Sequence, residues 1–347
     1  MRVLIVGTGL AGALLAERLH AGGLDVRLLG AGGTDATAVS GGLVRAFEPD
    51  PAAAAQARRS LAELHADAHL RRVAGYRETG SVYLLPAASL SVADVPAGAE
   101  VLDAVEVRRR FGFAGLPVDT VGVHERRAGY LSPDRLRHAA LARLDAAGVP
   151  APEPATVTAV TPEGELRLAD GRRLYGVVVL ATGAGTPDLL RASPLANGTG
   201  VPRTKHIQVG RYPATGLELP AFVDETSGLY GRTDGTGFML LGVPSPHWDV
   251  AASGPPADPA VETTVRATAA RRLPGVVAGP ATRIVSAADC YHPSAGADPG
   301  GLALRALGPA LWTFTGGSGG AAKIALSASR VAAAELTRML TVHGGTT

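Results

Sequence analysis

A strand that breaks into glycines and then becomes a helix constrains this chain more than any other feature, and the pattern occurs near both ends. At the start, Val3-Leu4-Ile5-Val6 reads as a buried strand, Gly7-Thr8-Gly9-Leu10-Ala11-Gly12 as a tight turn, and Ala13 to His20 as the opening of a helix. The G-x-G-x-x-G spacing lets backbone approach a pyrophosphate and lets helix pack closely on strand, while the helix N-terminus faces the negative charge. Near the other end, Leu311-Trp312-Thr313-Phe314-Thr315 runs into Gly316-Gly317-Ser318-Gly319-Gly320 and continues as an Ala-rich helix to about Met339. A module that binds only NAD has no reason to end this way. Each signal is weak alone, and together they describe one dinucleotide cofactor site.

A length of 347 residues and 46% hydrophobic content are ample for two domains or one large interleaved one. Lys+Arg 33 against Asp+Glu 31 leaves +2, which argues against nucleic acid or an anionic membrane as partner. Lysine occurs only at 205 and 323, so each is worth individual inspection. The Arg, Ala, Gly and Pro bias looks like that of a GC-rich genome and would suit an enzyme of specialised metabolism. The first strand begins at residue 2 with no leader pattern, and no run of about 18 apolar residues occurs, so a cytoplasmic protein is expected. A single cysteine, Cys290, rules out an intrachain disulfide and a Cys-based metal cluster. His65 and His69 stand at helical i, i+4 spacing but read as a solvated helix face; no metal site is expected.

After the first helix, Asp25-Val26-Arg27-Leu28-Leu29 reads as a second strand. Gly30 stands where dinucleotide folds place a carboxylate for the ribose hydroxyls, which weakens the case for freely exchanging NAD. Residues 51–75 read as a helix, Gly80 to Leu85 as a strand ended by Pro86, and 87–120 as a peripheral insertion with a short helix from Ala104 to Phe111. Ser132 caps a helix that has Pro133 at its first position. A hairpin of Ala155–Thr161 with Glu165–Ala169 precedes Val177-Val178-Val179-Leu180, apolar enough for a parallel sheet buried on both faces. From about 200 to 285, His206–Val209, Leu229–Gly231 and Phe238–Gly242 read as an antiparallel sheet. The expected fold class is α/β, a Rossmann-like cofactor domain in separated segments with an inserted α+β substrate domain centred on that sheet. The expected boundaries are 1–76, 121–199 and 286–347 for the first domain, and 77–120 and 200–285 for the second.

Several of these segments carry a resemblance over essentially the whole chain. They are Gly7-x-Gly9-x-x-Gly12, Ser40-Gly41-Gly42-Leu43-Val44-Arg45, Gly129-Tyr130-Leu131-Ser132-Pro133, Ala181-Thr182-Gly183-Ala184 and Ser318-Gly319-Gly320-Ala321-Ala322-Lys323. The chain resembles the FAD-dependent amino acid oxidase family that includes D-amino acid oxidase, glycine oxidase and monomeric sarcosine oxidase. It is most similar to the sarcosine oxidase-like subgroup, because Cys290 precedes Ser318-Gly319 by the spacing of a cysteine thioether-linked to the flavin. The resemblance implies FAD, held by Gly7, Gly9, Leu10, Ala11, Gly12, Thr37, Gly41, Val157, Gly183, Cys290, Gly317, Ser318, Gly319, Gly320 and Lys323. It also implies that backbone N–H groups of the C-terminal glycines face the isoalloxazine.

The resemblance further implies that Arg45 and Lys323 hold a substrate carboxylate, with Tyr230 and His292 in the pocket. Arg offers a planar fork and Lys a point charge. A lysine in the first turn of a helix opposes the helix dipole, which favours a functional role for Lys323. Cys290 has two readings, a small buried core residue and the covalent flavin link. The departures concern oxygen chemistry: Leu240 stands where that subgroup has a lysine over the flavin, about Pro244 where it has a histidine, with His247 near, and His292 where it has an aromatic residue. Lys205, beside His206 in the neighbouring segment, is an unproven substitute. The implied activity is oxidation of the C–N bond of a small amino acid or amine to an imine, with oxygen as acceptor and hydrogen peroxide as product. A dehydrogenase of the same fold and a non-catalytic flavoprotein subunit are the alternatives.

Overall fold

The computed structural model describes residues 2–30, 32, 33, 35–195, 201–215, 219–292 and 301–344. Strand Arg2–Val6 is the centre of a six-stranded sheet, because four successive apolar residues can be buried on both sides at once. It pairs in parallel with Asp25–Gly30 on one side and Val177–Leu180 on the other, and Leu311–Thr315 pairs in parallel with the latter. Thus the two glycine-ended strands, about 300 positions apart in the chain, lie two places apart in one sheet.

On one face of this sheet pack helices Leu10–Ala21, Pro51–Ala66, Pro133–Ala146 and Ala321–Gly344, burying Leu14, Leu15, Leu136, Ala325 and Leu336 with Ile5 and Val179. The other face is covered by a three-stranded meander, Val157–Val160, Glu165–Leu168 and Arg173–Tyr175, and by Leu189. The expected helix over 51–75 is interrupted. Asp67 ends Pro51–Ala66 and caps a second helix, Ala68–Ala74, by accepting the Leu70 N–H at 2.9 Å. His65 and His69 therefore fall on different helices. His65 meets the Tyr76 hydroxyl at 3.3 Å and His69 meets Arg72 at 2.8 Å.

An eight-stranded sheet forms the other half, in the order Arg283–Tyr291, Arg203–Pro213, Phe238–Gly242, Tyr230–Thr233, Ala221–Asp224, Ser81–Pro86, Thr120–Glu125 and Glu100–Asp103. One of its faces packs Val82, Leu84, Tyr212, Phe222, Met239 and Leu241 against helices Ala104–Phe111 and Pro259–Arg272. The other presents Ile207, Val209, Tyr230, Leu240, Val285 and Ala287, in period-two alternation with the first set. The boundaries expected at 120/121 and 285/286 fall at or inside strands of this sheet. Thr120–Glu125 pairs with Ser81–Pro86, and Arg283–Tyr291 pairs with Arg203–Pro213 over nine positions. Both pairings are long-range, and these two strands belong to the eight-stranded sheet. Among the described residues no helix is long and apolar enough to cross a membrane.

Candidate active site

A cavity of about 1010 Å³ lies between the glycine-ended edge of the first sheet and the Ile207–Val209 face of the second. That is at the top of the range of roughly 300–1,000 Å³ usual for ligand sites. Its lining includes Gly7, Gly9, Leu10, Ala11, Thr37, Gly41, Val157, Gly183, Gly317, Ser318 and Gly319, together with Arg45, Tyr230, Cys290 and Lys323. Gly12, Gly320 and His292 do not line it. Gly12 serves packing, since a Cβ there would lie 2.0 Å from the Gly7 carbonyl oxygen. His292 is buried beyond the strand end, where its Cβ would meet a side chain at Gly316 at 2.6 Å; Tyr291 occupies the cavity wall instead.

The first glycine turn is shaped for a phosphate. Gly7 has φ +115° and a Cβ on it would sit 2.3 Å from the Ala181 oxygen, so backbone crosses backbone here. A Cβ on Gly9 would meet nothing nearer than the Thr37 hydroxyl at 3.4 Å, so this face is open to the cavity. Gly9 gives the helix no side-chain cap; the Leu10 N–H donates to Thr37 Oγ1 at 3.1 Å, and helix geometry leaves the next first-turn N–H groups without intrahelical acceptors. Gly30 lacks a side chain because a Cβ would lie 2.8 Å from Thr8 Cγ2. The nearby acid is Asp35, which lines the cavity, caps helix Ala36–Val39 through the Ala38 N–H and pairs with Arg137 at 2.8 Å.

The second turn departs from expectation. The N–H of Ser318 donates to the Cys290 carbonyl at 3.1 Å and that of Gly319 to the Asp289 carboxylate at 2.6 Å, so neither is left to face a flavin. The start of helix Ala321–Gly344 reaches the cavity, with Ala321 and Ala322 in its wall. With open glycine backbone at one turn and a helix N-terminus at each, the cavity's donor set fits FAD, whose pyrophosphate and electron-rich ring both favour such donors. Cys290 is fully buried between the strand and this turn, and burial, with Asp289 beside it, pushes its thiol up to about 12.

Arg45 and Lys323 do converge, and on a partner that sequence reasoning missed. Glu48 Oε1 lies 2.6 Å from Arg45 Nη2 and 2.8 Å from Lys323 Nζ. Burial pushes the Glu48 carboxyl up, but the two cations together outweigh it and hold it below its ordinary range. Burial, then Arg45, lowers the Lys323 ammonium, with Glu48 opposing. Arg45 is further fixed by donating Nε to the Phe47 carbonyl at 3.0 Å and by lying 4.6 Å above the Tyr83 ring. Glu125, buried on its strand, accepts the N–H groups of Ala46 and Phe47, both at 2.9 Å, and so shapes the loop that carries Arg45 and Glu48. Glu48, at i+3 from Arg45, was the findable signal; Glu125, nearly eighty positions away, had none.

Tyr230 stands in the opposite wall, its ring across the neighbouring strand at Gly242, where a Cβ would come within 2.5 Å of it. Burial, with Asp289 secondary, raises its phenol to about 12. Leu240 packs on Gly41. Lys205 lines the cavity with its Nζ 4.7 Å from the Trp248 ring centroid and 5.5 Å from that of Tyr291, and burial lowers its ammonium. His247 does not line the cavity; it pairs with Asp258 at 2.7 Å, whereas buried His206, which does line it, meets Ser245 at 3.0 Å.

Among characterised proteins, monomeric sarcosine oxidase from Streptomyces avermitilis is 30% identical over 149 residues, which are 42% of this chain and 37% of that protein. The chain thus matches little more than a third of that relative's length. L-proline dehydrogenase from P. horikoshii superposes with a TM-score of 0.77 at 15% identity, covering 97% of this chain and 93% of that one. NikD, an unusual amino acid oxidase essential for nikkomycin biosynthesis, gives 0.74 at 23% identity, covering 95% and 92%. The sequence also matches the FAD dependent oxidoreductase (DAO) family from residue 2 to residue 335. The chain with this glycine-edged cavity therefore belongs to the FAD dependent oxidoreductase family.

Proposed function

We propose that the protein oxidises the C–N bond of an amino acid, secondary, cyclic or primary at nitrogen, to an imine, with oxygen as the electron acceptor and hydrogen peroxide as product. The observation that carries this reading is the convergence of Arg45 and Lys323 on one carboxylate oxygen inside the cavity. Two cations that already hold a carboxylate at hydrogen-bond distance have the chemistry to hold a substrate's. Substrate then replaces Glu48 on this pair, and the carboxylate fixes the direction of the rest of the molecule across the cavity toward Tyr230 and Tyr291. The buried walls exclude water from the neutral amine. Bound FAD supplies the two-electron acceptor, with Gly9, Thr37, Val157, Gly183 and the two helix starts as its holders and Cys290 as the proposed thioether attachment. Lys205 supplies a cation in the cavity wall where Leu240 supplies none, and supports oxygen as acceptor. Matches to both an oxidase and a dehydrogenase among solved structures keep a non-oxygen acceptor as the second reading.

The test is anaerobic bleaching of the holoenzyme by amino acids and by the corresponding decarboxylated amines, for wild type, Arg45→Met and Lys323→Met. Loss of either cation is expected to weaken capture of the amino acid on the order of ten- to a hundredfold, from roughly 1.5–3 kcal/mol per charge-assisted hydrogen bond. Equal bleaching by all three proteins, or a uniform preference for the amine, would defeat the carboxylate reading.

A further inference from the structure

One acid in the cavity wall has no part in the carboxylate anchor. Asp289 precedes Cys290 on the Arg283–Tyr291 strand and is almost wholly buried. One oxygen accepts the Cys290 N–H at 2.7 Å and the other the Gly319 N–H at 2.6 Å. Burial raises the Asp289 carboxyl above its ordinary range, and these two backbone donors oppose that by favouring the ionised form. The Cys290 carbonyl takes the adjacent Ser318 N–H at 3.1 Å. Two successive strand residues therefore grip two successive N–H groups of the turn that opens helix Ala321–Gly344.

That turn needs gripping. Ser318 has φ +49° and Gly319 φ +72°, and a serine stays in the left-handed region only where its surroundings impose it. The turn is closed by the Gly320 N–H on the Gly317 carbonyl at 2.7 Å and by the Lys323 N–H on the Gly320 carbonyl at 3.1 Å, so its position sets that of Lys323. The charge of Asp289 has a second consequence. Strand register puts Lys205 opposite it, yet Lys205 turns to Trp248 and Tyr291, and among the described residues no salt bridge joins the two. The carboxyl group is held by backbone donors, and its ionised form places a negative charge beside the cavity.

We propose that Asp289 is a positioning residue for the bound cofactor: its carboxylate fastens the Ser318–Gly319 turn to the strand that carries Cys290, and its charge lowers the reduction potential of the flavin. Reduction adds electron density to the ring, and a fixed anion in a low-dielectric wall opposes that addition. The inference rests on this cavity being the FAD site, but not on the identity of the substrate.

The test uses Asp289→Asn, which keeps one carbonyl oxygen and the shape of the side chain, and Asp289→Ala. Midpoint potential is measured on the holoenzyme in mildly alkaline buffer by reductive titration against a reference dye, and amide exchange at Ser318 and Gly319 is followed in the apoprotein. Asp289→Asn is expected to load FAD, to show a more positive potential, and to exchange these two amides faster, on the order of tenfold for one lost hydrogen bond. Asp289→Ala, if it folds, is expected to exceed it in exchange rate. An unchanged or more negative potential in FAD-loaded Asp289→Asn, or wild-type exchange at both amides, overturns the proposal. Neither readout involves substrate, so a wild type that no amino acid bleaches would count against the proposed function and leave this result standing.

Discussion

Replacing Glu48 by Gln is expected to tighten binding of simple carboxylates, an outcome opposite to that usual for a substitution in a binding site. In the structure Glu48 Oε1 lies 2.6 Å from Arg45 and 2.8 Å from Lys323, so any incoming carboxylate competes with one tethered to the same loop. A hydrogen bond to a charged group contributes roughly 1.5–3 kcal/mol, and a neutral acceptor in the same place about half as much. Gln therefore weakens the internal contact by about 0.75–1.5 kcal/mol at each cation, about 1.5–3 kcal/mol for the two. That corresponds to a gain on the order of ten- to a hundredfold in carboxylate affinity. The assay is titration of wild-type and Glu48→Gln holoenzyme with acetate and benzoate, which carry no amine and leave the flavin oxidised, read by perturbation of the flavin absorbance. The variant should also be less stable without ligand, since two buried cations lose their counter-charge. Because the Glu48 carboxyl is held below its ordinary value of 4.5, its stabilising contribution is present above that pH and is lost as pH falls through the depressed value. The stability gap between wild type and variant should close in that acid range. Equal or weaker carboxylate binding by Glu48→Gln would refute the competition and, with it, the idea that this cation pair receives a substrate carboxylate.

The remaining predictions concern the same cavity. The Lys323 ammonium is depressed below the ordinary 10.5, so carboxylate affinity should fall as pH rises through a value lower than that, and Lys323→Met should lack this alkaline limb in a titration against pH. Acid precipitation should leave flavin with wild-type protein and release it from Cys290→Ser; fully extractable wild-type flavin would make Cys290 a core residue only. Gly9→Val should fold, since its Cβ would meet only Thr37 and Asp35 at 3.4 and 3.6 Å, but should not load FAD, whereas Gly7→Val should unfold because its Cβ would strike the Ala181 oxygen at 2.3 Å. Thermal melting of the apoproteins and absorbance of the loaded ones separate the two.

The parts legible from sequence were those in which neighbouring residues carry the physics. Both glycine turns, the Ser132–Pro133 helix entry and the apolar Val177–Leu180 strand follow from short-range rules of turn, cap and burial, and all are present. Arg45 and Lys323 could be singled out because one lies in a recognisable segment and the other is a rare lysine in a helix first turn. Tertiary structure alone decided what these groups touch. The 290 strand pairs with 203–213 and not within the cofactor sheet, so its Asp289 and Cys290 reach across to the 318–319 turn and take the N–H groups that seemed available in the linear sequence. Glu125 shapes the Arg45 loop from a strand nearly eighty residues away, and Thr8, leaning over the end of the second strand, explains Gly30. Local sequence specifies which backbone groups need partners, but partners supplied by long-range strand pairing carry no signature within a window of a few residues, so only the folded chain reveals them.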